Sequence, residues 1–161
     1  MEDRSFRLGQ VKEMSKETTY NSRSVTVACG PGDLYAFLTD MRNFETIIPG
    51  EKITEWEADE MSCSFRVDHA GKINASLAEA VPYSAIDYQA ETFITGKITA
   101  HVAIETVDHD RSRVSISVCA HLNPFVKMAV GDAPEKYLEM IITAVENYDG
   151  YDRIRGDIQS P

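Results

Sequence analysis

The sequence predicts one α+β domain, a curved, seven-stranded antiparallel sheet closing around a single long C-terminal helix. Three observations lead there. Residues 134–148 form the one long segment with helical spacing: Leu138, Ile141, Ile142, Val145 and Tyr148 fall at i, i+3, i+4, i+7 and i+10. Glu135, Glu139, Thr143 and Glu146 take the opposite side. Nearly everything between residues 20 and 122 reads instead as strands separated by turn signals. A helix with one apolar side and a meander with one apolar face bury each other best when the sheet wraps the helix.

At 161 residues the chain fits a single domain. Sixteen basic against twenty-six acidic residues give a net charge of −10, which repels phosphate backbones and disfavours a nucleic-acid partner. No signal-peptide core opens the chain, and no run approaches the ~20 apolar residues of a membrane span, so a cytoplasmic location is expected. Cys29, Cys63 and Cys119 are odd in number, far apart and without CxxC spacing. They read as buried small hydrophobes rather than as a disulfide framework or zinc site.

Residues 1–19 balance four acids against four bases and are expected to be a flexible tail. Val25, Val27 and Cys29 alternate with polar neighbours as a first, half-buried strand, which Gly30-Pro31-Gly32 ends. Asp33 is a candidate N-cap for a short helix bearing Leu34, Phe37 and Leu38; a second short helix around residues 44–48 closes at Pro49-Gly50. Six strands follow. Residues 52–59 alternate imperfectly through Ile53 and Trp56, whereas Cys63, Phe65 and Val67 alternate cleanly up to a turn at His69-Ala70-Gly71. Ile73, Ala75 and Leu77 bring Glu79 into the same phase before Pro82 breaks the run; Ile86, Tyr88 and Ala90 lead to the Thr95-Gly96 turn. The last two strands point Ile98, Ala100, Val102 and Ile104, then Val114, Ile116, Val118, Ala120 and Leu122, to one side. A helical lead-in over residues 125–130 either precedes the long helix or joins it as one kinked helix; Asp132 with Glu135 suggests a capping box and Gly150 a C-cap. Residues 149–161 are expected to be a second flexible tail, leaving the domain at 20–148.

This order of elements resembles the helix-grip fold of the SRPBCC superfamily, also called START-like or birch-pollen-allergen-like. The local matches are Val25-Thr26-Val27 leading through Pro31 into Leu34-Tyr35-Ala36-Phe37-Leu38-Thr39-Asp40, then Pro49, and Leu122-Asn123-Pro124-Phe125-Val126-Lys127 at the entry to the last helix. The entry segment is most similar to small, uncharacterised single-domain bacterial members. The resemblance implies a cavity between sheet and helix. It leaves activity open, since members include hydrophobic-ligand carriers, hormone receptors, aromatic-polyketide cyclases and chaperone activators.

The inward phase would line that cavity with Phe65, Val67, Leu77, Tyr88, Val102, Ile104, Ile116 and Val118, facing Leu138, Ile141 and Val145 from the helix; the alternative is that these residues simply fill a core. Glu79 and Tyr88 are the candidate chemical groups: an inward carboxylate needs a partner or a proton, and a tyrosine hydroxyl could serve a ligand. A bulge near Pro82 would instead turn Glu79 outward. His69 and His109 fall in turns, His101 and His121 in the outward phase, and no pair has ligand spacing, so no metal and no cofactor is expected. Asp108-His109-Asp110 reads as a solvated turn. Phe93 and Ile94 beside Thr95-Gly96 are candidates to cover a cavity mouth, the alternatives being packing against the C-terminal lead-in or a dimer contact. The leading expectation is a non-enzymatic binding or carrier protein for a small hydrophobic or amphipathic molecule, acting as a monomer or homodimer. The alternatives are a polyketide cyclase or dehydratase-like enzyme using Glu79 and Tyr88, and an interaction module of the chaperone-activator kind.

Overall fold

The computed structural model describes residues 16–48, 53–68 and 71–151. The expected turns at Pro49-Gly50 and His69-Ala70, and most of both expected tails, lie outside those residues. In chain order the elements are β1 (Lys16–Asn21), β2 (Val25–Val27), α1 (Pro31–Leu38), a 3-10 helix (Met41–Thr46), β3 (Ile53–Ala58), β4 (Ser62–Val67), β5 (Gly71–Val81), β6 (Ala85–Thr92), β7 (Gly96–Asp108), β8 (Arg111–Leu122), α2 (Pro124–Val130) and α3 (Ala133–Asn147). The strands form one antiparallel sheet in the order β1-β8-β7-β6-β5-β4-β3, with β2 also on β8. This is the α+β helix-grip arrangement, with eight strands among the described residues rather than seven.

The extra strand comes from a break in the first one. Asn21 pairs with Ser117 but Val25 with Val114, so three residues span what two span on β8. Ser22 bridges the gap: its N–H donates to the Ile116 carbonyl at 2.8 Å, and its hydroxyl accepts the Ile116 N–H at 2.9 Å. Because β1 already begins at Lys16, four residues expected in the first tail belong to the sheet. Tyr151 corrects the other boundary. It is buried, donates to the Val145 carbonyl at 2.8 Å, and completes an aromatic cluster with Phe37 and Tyr148 at centroid distances of 4.9–5.2 Å.

Two further departures from simple alternation are bulges. Thr54 pairs with Arg66 and Glu57 with Ser64, so Glu55 and Trp56 together oppose Phe65. Glu55 adopts φ 57°, and Ile53 and Trp56 face inward although three residues apart. Trp56 then stacks on Phe65 at 5.5 Å. On β5, Leu77 pairs with Tyr88 but Glu79 with Asp87, leaving Ala78 as the extra residue.

The core is densest where α1 and α3 meet β2, β7 and β8. Leu34, Phe37, Met41, Ile86, Ile142, Val27, Val114 and Val145 are almost wholly excluded from solvent there. Burying a side chain such as Phe37 contributes about 1.5–3 kcal/mol. Gly30 serves as N-cap of α1, placing Pro31 in the first turn and Asp33 further in rather than at the cap. The lead-in and the long helix are separate helices, divided at Gly131 with φ 56°. Asp132 makes no side-chain cap bond and pairs instead with Lys136 at 3.2 Å. Gly150 is not the C-cap, a position held by Tyr148; it is buried beneath the Tyr148 ring. No disulfide joins the three cysteines; Cys29 and Cys63 are buried and Cys119 is half-buried, and burial pushes the Cys63 thiol up to about 11.

Candidate functional site

Rotation of α3 decides what its sides see. Arg23, in the break between β1 and β2, donates to Glu139 at 2.8 Å, Thr143 at 3.0 Å and Glu146 at 3.2 Å. That clamp holds one flank of the helix at the sheet's β1–β2 edge. Leu138, Ile142 and Val145 consequently point into the core, and the remaining flank carries Tyr137, Ile141, Ala144 and Tyr148. The strands whose backbones lie nearest α3 are β1, β2 and β8, so this last flank looks across the inner face of the sheet.

That inner face is sealed on the α1 side and accessible over its middle. Ile86, Val102, Ile104 and Val114 are buried on the α1 side, whereas Ile98, Ala100, Ile116 and Val118, further along, keep accessible surface; beyond them Ala120 and Leu122, at the far end of β8, are buried again. Val67, Ile73, Ala75 and Leu77 are likewise half-buried, as is Ile141 opposite them on α3. Of the residues predicted to line the interior, Phe65, Tyr88, Val102, Ile104, Leu138 and Val145 are thus core, and Val67, Leu77, Ile116, Val118 and Ile141 are the ones within solvent reach.

The two candidate chemical groups are not brought together. The bulge at Ala78 rotates Glu79 onto the outer face beside Asp87, where it is exposed, which corrects the inward position expected from simple alternation. Ala80 takes the inward position opposite Ile86 instead. Tyr88 does point inward, but its hydroxyl donates to the Leu38 carbonyl at 2.5 Å and so caps the end of α1. Burial pushes its ionisation well above the ordinary phenol range. Tyr88 is therefore a buried strut, and a proton-transfer pair of Glu79 with Tyr88 does not form.

A different tyrosine carries the unspent polar group. Tyr137 is half-buried, yet its hydroxyl oxygen is shielded from solvent and has no hydrogen-bond partner among the described residues. Burial raises its pKa as well. The apolar stripe of α3 does not point to Tyr137. Its place four residues before Ile141, on the same helix side, is the signal the sequence offers.

Register pairs Ile98 with Ala120, which sets the β6–β7 turn near the passage from β8 into α2. Phe93 is 96% exposed, Phe125 83% and Met128 81%, with Ile94 exposed beside Phe93. Four large apolar side chains thus stand exposed on the β6–β7 turn and α2, at this end of the sheet. The outer face is chemically unlike the inner one. An open trough of about 820 Å³ there is edged by Glu57, Ser64, Asn74, Ser76, Gln89 and Lys97. Also on that face, His101 meets Asp87 at 2.6 Å, as its outward phase predicts. No group of three or more potential metal ligands converges among the described residues, and no helix there is long and apolar enough to cross a membrane.

A sequence model for CoxG, the G subunit of carbon monoxide dehydrogenase, matches residues 24–145. The chain belongs to the CoxG family. The CoxG match runs from the residue before β2 to Val145 in α3, so it includes both walls of the interior just described. The CoxG-family chain also has solved counterparts in fold. Norcoclaurine synthase from Thalictrum flavum, in complex with dopamine and hydroxybenzaldehyde, superposes with a TM-score of 0.62 at 10% identity, over 93% of this chain and 92% of that one. A START superfamily protein from Mycobacterium smegmatis gives 0.58 at 13% identity, over 87% and 97%. A protein from Thermobifida fusca gives 0.59 at 15% identity, over 84% and 94%. At such identities the likeness establishes fold and not activity. Membership of the SRPBCC superfamily, expected from the order of elements, holds. No curated protein sequence matches the chain.

Proposed function

We propose that this CoxG-family chain is a binding or carrier protein for a small hydrophobic or amphipathic molecule held between its sheet and α3. One observation carries the reading: an inward-facing apolar surface, from Ile98, Ala100, Ile116 and Val118 across to Leu77 and Ile141, that the protein's own side chains leave accessible. Apolar surface facing a core is normally covered, because each Å² removed from water contributes about 25 cal/mol. A cargo would supply that cover. The neighbouring apolar end, with Phe93, Ile94, Phe125 and Met128, supplies a route by which such a molecule enters without crossing the polar outer face.

The direct test is native mass spectrometry of protein purified from its own cells, set against the denatured chain. A reproducible noncovalent mass on the native protein supports the carrier reading. Native protein that carries none, and takes up none from a lipid extract of those cells, counts against it.

The family takes its name from a component of a larger oxidoreductase, which favours a second reading in which the same apolar end docks on such an enzyme. Exposed aromatic and methionine side chains are enriched at protein interfaces. Binding to the carbon monoxide dehydrogenase of the same organism should then be lost in Phe125→Asp. Equal retention of wild type and variant, or of neither, removes that reading.

A further inference from the structure

One end of the molecule carries apolar surface that no described residue covers, and the chain's own N-terminal residues set out beside it. α2 is the unusual element there. Its seven residues include Phe125, Val126, Met128 and Val130, with Lys127 as the one charge, yet none of them is buried. A helix in a protein draws most of its stability from packing an apolar side, and two turns alone are marginal in water. Asn123 caps α2 by accepting the Val126 N–H at 2.9 Å, which satisfies backbone and covers no side chain. Phe93 and Ile94, on the β6–β7 turn at the same end of the sheet, are exposed as well.

Topology decides which part of the chain is placed to cover this end. Lys16 pairs with Leu122, so β1 begins where β8 passes into α2. With β8 between β1 and β7, the residues before Lys16 set out about 5 Å from the end of β8 and about 10 Å from the start of β7. Residues 1–15 include Phe6, Leu8, Val11 and Met14, and their acidic Glu13, beside Met14, complements Lys127. Fifteen residues span up to about 50 Å when extended, so reach is no obstacle. The C-terminal segment, by contrast, leaves from Tyr151, whose ring packs on Phe37 of α1 and so lies on the sealed side.

We propose that residues 1–15 fold back over α2 and the β6–β7 turn, packing Val11 and Met14 against Phe125 and Met128, so that the chain covers its own apolar end and gates it. The contact stands apart from the carrier reading; the gating of cargo entry rests on that reading. Apolar surface left in water is what drives such a contact, and a tethered segment loses less freedom on docking than a separate partner does.

Methionine-methyl NMR of the full chain tests the contact with native probes, since Met14 and Met128 lie on its two sides and Met41 and Met61 serve as controls elsewhere. Nuclear Overhauser contacts are expected from the Met14 methyl to the Phe125 ring. Deleting residues 1–15 should move the Met128 signal and leave Met41 and Met61 in place, and Val11→Asp in the full chain should move Met128 the same way. A Met14 signal at the position of a methionine in a short peptide, or a Met128 signal identical with and without residues 1–15, overturns the proposal. So does a Met128 signal that shifts with protein concentration in both forms, which would make a second copy the occupant.

Uptake of the hydrocarbon probe diphenylhexatriene tests the gate. Its rate scales with the fraction of molecules open, so a segment docked about nine-tenths of the time predicts about tenfold faster uptake in the deletion variant. Equal rates in the two forms overturn the gate. If neither form takes up the probe, the carrier reading fails and the gate with it, while the Met14 contact, read by NMR alone, still upholds or overturns the cover.

Discussion

Replacing Ala100 with Phe is expected to abolish binding of an apolar probe while leaving the fold intact. Ala100 faces inward in the middle of β7, opposite Tyr88 on one side and Val118 on the other, and it is half-buried although its neighbours toward α1 are sealed. A phenyl ring at this position projects into the space proposed for cargo. Phe is also a good strand former, so the backbone has no reason to object. Probe affinity should fall by more than about thirtyfold, a loss of roughly 2 kcal/mol of binding, and the melting temperature should stay within a few degrees. The opposite pattern is just as readable. In a filled core, each added methylene forces neighbours off their rotamers, and overpacking costs about 1–3 kcal/mol or more. A melting temperature lowered by ten degrees or more would show that the space at Ala100 is already occupied by protein. Unchanged affinity with unchanged stability would place any cargo elsewhere.

The alternation of β7 and β8 is legible in the sequence because each residue's side of the sheet depends only on its parity. Ile98 to Ile104 and Val114 to Leu122 accordingly face where parity puts them. Parity fails at a bulge, and a bulge is set by how one strand pairs with its neighbour. Nothing local at Ala78 says that Tyr88 and Asp87 will pair on either side of it, so parity alone carries Glu79 to the wrong face. Trp56 shows the reverse: the imperfect spacing of Ile53 and Trp56 is itself the trace of a bulge. Burial depth is less legible still. Tyr88 and Tyr137 are both tyrosines among apolar neighbours, and only the fold shows that one hydroxyl reaches the end of α1 while the other reaches no partner among the described residues. Tyr151 reads as tail because its neighbours are polar. Its burial depends on Phe37, more than a hundred residues away.

Gly30→Ala is expected to be the most destabilising of the small substitutions, and Gly32→Ala nearly neutral, although both glycines flank the same proline. Gly30 has φ −65° and ψ 161°, so it is not there for a left-handed conformation. It is there for space. A Cβ on Gly30 would land on the carbonyl oxygen of His109, in the turn between β7 and β8. Both contacts are backbone, and the same junction is pinned by Ser112, whose buried hydroxyl donates to the Cys29 carbonyl at 2.7 Å. The methyl group can be admitted only by moving α1 away from the hairpin. That movement would withdraw Leu34, Phe37 and Leu38 from the core they help seal. A cost of about 3 kcal/mol follows, or about 6–12 °C in melting temperature for a chain of this size. At Gly32 the nearest atom to an added Cβ is Cε1 of Tyr83 at 3.8 Å, an ordinary contact, and alanine is the better helix former. The pair therefore separates close packing from the general flexibility of a glycine turn. If the two variants melt together, the approach of α1 to the β7–β8 hairpin does not limit stability. If only Gly30→Ala falls, the sealed end of the interior is held by that contact, and the accessible end lies where α1 does not reach.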